Sequence, residues 1–127
     1  MTDSPSTPLP PLDAEAMADA LWANRRESVW DEKTVAQIVG KIRRGTSTIP
    51  PLDSKVATEI VAETVLGWGC HQAVRRAKVT YRTFYAWVAK SYTNDPDAAP
   101  YRALRDELNA TFEQLRASRG LPDRVWL

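Results

Sequence analysis

The sequence predicts an all-α protein, and three observations carry that reading. Apolar residues recur at i, i+3, i+4 and i+7, most cleanly at Val35, Ile38, Val39 and Ile42. Capping residues and glycines punctuate the chain at helical lengths: Asp13, Asp31, Asp53 and Thr80 stand at starts, and Gly45, Gly67 and Gly120 at stops. No segment alternates apolar and polar residues for long enough to suggest a strand.

Taken in order, Met1 to Leu12 holds four prolines with Ser and Thr and reads as a disordered or polyproline-like arm. Asp13 is a suitable N-cap for a helix from Ala14 to about Arg25, with Met17, Ala20 and Leu21 on one side and Trp22 at its edge. A second helix is expected from about Asp31 to Arg44. Its acids lie in the first turn and its arginines in the last, as the macrodipole favours, and Gly45 sits at the C′ position. Together these make an N-terminal helical pair over 13–45. Thr46 to Leu52, with Pro50-Pro51, is forced into an extended linker.

Asp53 or Ser54 caps a third helix to about Leu66, with Ala57, Ile60, Val61, Thr64 and Val65 as its buried stripe and Gly67 and Gly69 breaking it. Two short helices follow, about Cys70–Ala77 and Thr80–Ser91, closing a three-helix unit over 53–92. Thr93 to Asp97 reads as a turn. A last amphipathic helix, about Ala99 to Ser118, stops at Gly120-Leu121-Pro122 and belongs to a C-terminal segment, 93–127. The whole chain, 127 residues, is long enough for one compact core with attached arms.

Hydrophobic residues make up 43% of the chain, which favours a packed body over general disorder. The formal net charge is only +1, so the total predicts no polyanionic partner. The distribution is another matter. Thr64 to Asn94 contains no acid while carrying Arg75, Arg76, Lys78, Arg82 and Lys90; Met1 to Glu32 carries seven acids against two arginines. Such segregation gives one basic surface, the footprint of a phosphate-binding module.

Within the acid-free run, Ala73 and Ala77 allow a close helix crossing, and Lys78-Val79 is too short for anything but a tight turn. Phe84, Trp87 and Val88 supply the inward face of the next helix. Opposite them lie Arg82, Ala86 and Ala89, flanked by Tyr85 and Lys90. Two alanines make a helix slim enough for a major groove, Arg82 in the first turn suits guanine edges, and Tyr81 and Tyr85 suit phosphate or thymine methyls. The expected DNA-contacting residues are therefore Arg75, Arg76, Lys78, Thr80, Tyr81, Arg82, Tyr85 and Lys90.

The run Ala73-Val74-Arg75-Arg76-Ala77-Lys78-Val79-Thr80-Tyr81-Arg82-Thr83-Phe84-Tyr85-Ala86-Trp87 resembles the homeodomain-like helix-turn-helix of bacteriophage small terminase subunits and related phage and transposon DNA-binding proteins. There the string runs roughly A-A-R-A-A-G-V-S-R-S-T-F-Y-R-W. The resemblance covers about residues 53–120, including Asp95-Pro96 and Pro100-Tyr101-Arg102. It implies a non-enzymatic protein that recognises duplex DNA, in packaging or in transcriptional regulation. A ring of many copies would fit the first role and a dimer on a short operator the second. Lys78 departs from the pattern, which has glycine there; a lysine in the left-handed conformation costs on the order of 1 kcal/mol.

Tyr101, Leu104, Leu108 and Leu115 lie at a/d-like spacing on the last helix, with Thr111 and Phe112 completing the stripe and mixed charges beside it. Self-association through this face is expected, with intrachain packing as the alternative. Cys70-His71 offers too few ligands for zinc and no third group to orient a nucleophile, so neither a metal, a cofactor nor a catalytic role is expected. One cysteine, no bilayer-spanning run and no secretory pattern at Met1 to Leu12 fit a cytoplasmic setting and no membrane partner. The competing class is a protein-interaction adaptor, favoured by the acidic N-terminal helices and by Trp22, Trp30 and Trp126, which the motif does not use.

Overall fold

A computed structural model describes residues 9–119 and Leu127. Most of the proposed arm, the Gly120-Leu121-Pro122 stop and Trp126 lie outside the described residues. The elements run β1 (Leu12–Asp13), α1 (Ala14–Ala23), α2 (Glu32–Arg43), β2 (Thr48–Ile49), α3 (Ser54–Val65), α4 (Cys70–Arg76), α5 (Tyr81–Ser91), a 3-10 turn (Pro96–Ala98) and α6 (Ala99–Arg119). The all-α class holds, with one small exception. Leu12 pairs with Ile49 and Asp13 with Thr48 in an antiparallel ladder of two residues a side. So short a ladder leaves no period-two pattern in the sequence.

Local signals set the helix ends. The Asp13 carboxylate accepts from the backbone N–H of Glu15 at 2.9 Å, that of Asp31 from Thr34 at 2.8 Å, and that of Asp53 from Lys55 at 2.8 Å. The Thr80 hydroxyl accepts from the Thr83 N–H at 3.2 Å. Each removes one orphan donor from a helix start, worth about 1 kcal/mol. Gly45 has φ +83°, as a C′ glycine requires, and Gly67 has φ +102°.

The core is organised around α5. Helices α1, α2 and α6 pack against it, while α3 lies on α4 and α6. From Thr83 to Ser91 every residue of α5 is buried. The linker is extended but not loose: Ile49 and Leu52 are buried, the Trp87 indole N–H donates to the Pro50 carbonyl at 2.8 Å, and the Leu52 N–H donates to the Tyr101 hydroxyl at 3.1 Å. Leu12, placed at the end of the arm, is likewise buried. The N-terminal pair and the three helices over 53–92 therefore share one hydrophobic core.

Two sequence expectations are corrected here. Val65, assigned to the buried stripe of α3, is 54% exposed; Ile60 and Thr64 alone are fully covered. The α6 stripe is not free for a second copy. Tyr101, Leu104, Leu108, Thr111, Phe112 and Leu115 are all buried within the single chain. The physical reason is α5, which needs covering on more than one side, and α6 lies against both it and α3.

Candidate functional site

The four residues between α4 and α5 make a tight turn. Lys78 takes φ +63°, the left-handed conformation, and its N–H donates to the Arg75 carbonyl at 3.0 Å; the Val79 N–H donates to the Val74 carbonyl at 3.1 Å. Ala73, Val74 and Ala77 are buried beneath it. Arg75, Arg76, Lys78 and Thr80 remain on the surface, with Tyr81 partly covered.

The groove-reading surface expected on α5 is absent. Ala86 and Ala89 are fully buried, Tyr85 is 7% exposed and Lys90 is 5% exposed. Helix α1 packs on α5, and slim residues that would have seated a helix in DNA seat it against protein instead. Arg82 turns back onto the linker. Its guanidinium donates to the carbonyls of Ile42 at 2.9 Å, Thr48 at 3.4 Å and Thr46, and so holds the C-terminal end of α2 and β2 to the first turn of α5. Lys90 is paired with Asp95 and Asp97, each at 2.8 Å. Burial would lower the Lys90 pKa, but the hydrogen bonds to the two carboxylates outweigh it and hold the pKa raised. Arg76 meets Glu63 and lies over the Trp68 ring, 4.6 Å from its centroid.

Of the eight expected DNA contacts, the fold thus leaves Arg75, Lys78 and Thr80 outside with no acid bound among the described residues, leaves Arg76 outside but paired, leaves Tyr81 partly covered, and turns Arg82, Tyr85 and Lys90 inwards. It also brings in residues that the sequence reading missed. Lys41 lies over Tyr81 at 5.4 Å and Tyr85 at 5.7 Å from the ring centroids. Arg44 is exposed between Ile42 and Thr46, the residues that hold Arg82. Among the described residues, Lys41, Arg44, Arg75 and Lys78 form no salt bridge. A shallow notch of about 220 Å³, lined by Arg75, Val79, Thr80 and Tyr81, opens at the same corner. The placement of Arg43 and Arg44 at the end of α2 was legible; that Arg43 pairs with Glu15 and Asp19 of α1, and that the Ile42 and Thr46 carbonyls on either side of Arg44 meet Arg82 of α5, was not.

Beside this corner, α2, α4, Tyr85 of α5 and Leu127 border a larger, open cavity of about 490 Å³, lined also by Trp30, with Ile38, Lys41, Cys70 and His71 from α2 and α4. Trp30 meets Tyr85 edge to face at 5.8 Å. His71 shares a hydrogen bond with the Tyr85 hydroxyl. Burial, and then the charge of Lys41, lower the His71 pKa, so the imidazole is neutral near pH 7. Burial pushes the Cys70 thiol up to about 12, and burial with the neighbouring Cys70 and Tyr81 pushes the Tyr85 phenol up to about 12. Cys70 is therefore held as a thiol, the opposite of what a nucleophile needs. No group of three or more His, Cys, Asp or Glu side chains suited to a metal occurs among the described residues.

Among the described residues no helix is long and apolar enough to cross a membrane. Comparison with family models, with curated proteins and with solved structures gives no match, so the resemblance over 53–120 rests on its own residues alone.

Proposed function

We propose that this chain is a non-enzymatic, helix-turn-helix-like protein that binds duplex DNA mainly through its phosphates, at the corner where the α4–α5 turn meets the end of α2. The observation that carries this is a set of cations with no acid partner among the described residues: exposed Arg75 and Lys78 at the turn beside Thr80 and Tyr81, half-buried Lys41 over the Tyr81 ring, and exposed Arg44 in the segment that Arg82 holds. Arg75 and Lys78 come from the acid-free run, while α2 supplies the other two. An exposed cation cluster of this kind recognises the regular charge of a backbone; base edges require side chains that project into a groove. With Ala86 and Ala89 covered and Arg82 occupied by carbonyls, sequence preference is expected to be weak.

Fluorescence anisotropy of a labelled duplex across a salt series tests this. Four cations on phosphates predict a log–log slope of about −3 to −4 per protomer. Arg75→Glu with Lys78→Glu should abolish binding to every duplex alike, since phosphate contacts carry no sequence information. A flat salt response, or no binding at about 50 mM salt, overturns the reading.

One observation favours a second reading, an adaptor that docks on another protein. Val65, Leu66 and Trp68 are exposed together at the end of α3, at 54%, 68% and 41%. Contiguous apolar exposure marks an interaction surface. It is the reading to adopt if duplex binding fails while Leu66→Ser abolishes capture of a defined partner.

A further inference from the structure

The cavity between α2 and α4 is chemically unlike the corner beside it. Its volume, about 490 Å³, lies in the range of small-molecule sites, roughly 300–1,000 Å³. Trp30 and Tyr85 present aromatic surface at right angles, with Ile38 supplying an aliphatic wall. Among the described residues that line it there is no Asp or Glu side chain, while the Lys41 ammonium lines it and has no acid partner among them. His71, the other basic group, is committed to Tyr85. Among the described residues Lys41 is thus the one Lys or Arg lining a largely apolar cavity, and Gln37 and Gln72 stand exposed at its mouth with amides able to complete the recognition of an anion.

We infer that this cavity binds a small planar molecule carrying one anionic group, an aromatic carboxylate. The ring would stack face to face on Trp30 and meet Tyr85, which stands at 89° to it, edge to face. The carboxylate would meet Lys41, forming a charge-assisted hydrogen bond in a partly desolvated place. Two fused rings fit the volume; a charged polymer does not. This inference does not depend on the nucleic-acid reading, and its test contains no nucleic acid.

The probe is naphthoate, with naphthamide as its uncharged counterpart, titrated into the full-length chain by calorimetry and by backbone amide NMR. Naphthoate is expected to saturate, with shifts centred on Gln37, Lys41, His71 and Gln72, and to bind more tightly than naphthamide. Lys41→Met keeps the stem and removes the charge. It should weaken naphthoate by about ten- to a hundredfold, the worth of one hydrogen bond to a charged group, and leave naphthamide unchanged. Gln37→Trp, an exposed position at the mouth, should block both probes without disturbing the fold. Failure of naphthoate to saturate in the millimolar range, shifts centred elsewhere, or equal binding to the wild type and Lys41→Met would each overturn the inference.

Discussion

Helices α4 and α5 divide one acid-free stretch between them, yet they treat its cations in opposite ways. On α4 and the turn after it, Arg75, Arg76 and Lys78 stay in solvent. On α5, Arg82 spends its guanidinium on backbone carbonyls and Lys90 lies buried between two carboxylates from beyond the stretch. The sequence charge of +5 is real, but only part of it reaches the surface. What separates the two helices is their position. Helix α4 lies at the edge, against α3, whereas α5 is wrapped by α1, α2 and α6. A run of cations marks a binding surface only after its neighbours have been placed.

The strongest way to break this comparison is a large charge on the α5 face that the helical wheel turns outwards. Ala89→Arg would be tolerated, and would strengthen DNA binding, if that face met solvent. With Ala89 fully buried, the substitution both overpacks the core and buries an unpaired charge. It should cost more than about 3 kcal/mol in chemical denaturation. A variant as stable as the wild type would mean that α1 does not cover α5.

A smaller effect sharpens the contrast between two arginines. Arg82→Ala removes a clamp on three carbonyls and should lower stability by about 2 kcal/mol, as expected for hydrogen bonds to a charged group that is partly solvated. Arg75→Ala should leave stability within about 0.5 kcal/mol and weaken duplex binding instead. Were Arg82→Ala to fold as stably as the wild type while losing only base preference, the groove-reading assignment would be restored.

The smallest expected effect is a pH dependence at the end of α5. The hydrogen bond from Lys90 holds the Asp97 carboxyl below the usual carboxylate range. A depressed folded-state pKa stabilises above the unfolded value and ceases to do so as pH falls through the folded one. The stability gap between wild type and Asp97→Asn should therefore be full near neutrality and shrink on acidification below about pH 4. Parallel stability curves down to the acid transition would show that Asp97 is no partner of Lys90.

Much of the fold could be read from residues close in sequence. The aspartates before α1, α2 and α3, Thr80 before α5, and Gly45 after α2 act within a turn or two of themselves, so their roles survive any tertiary arrangement. Val35, Ile38, Val39 and Ile42 were equally legible, because one apolar stripe on a polar helix has a single way to be buried. The candidate site was less so. Arg75 and Lys78 follow from the turn, but Lys41 and Arg44 join them from more than thirty residues away.

One signal for the central position of α5 was present and unused. Phe84-Tyr85-Ala86-Trp87-Val88-Ala89 is six apolar residues in succession, which on a helix is apolar all round and belongs inside. The α6 stripe posed a different problem. A buried intrachain face and a self-associating face have the same heptad-like spacing, and periodicity cannot tell them apart.

The sequence by itself determined the helical class, the helix ends, the tight turn at Lys78-Val79 and the asymmetry of charge, because these follow from local sterics, hydrogen bonding and counting. Only the tertiary structure decided which cations face water, which helix is central, that α6 closes on its own chain, and that Trp30, Lys41 and Tyr85 border one cavity. Those outcomes depend on which faces meet across long stretches of chain. Burial is a property of the pair of surfaces, and neither surface encodes its partner alone.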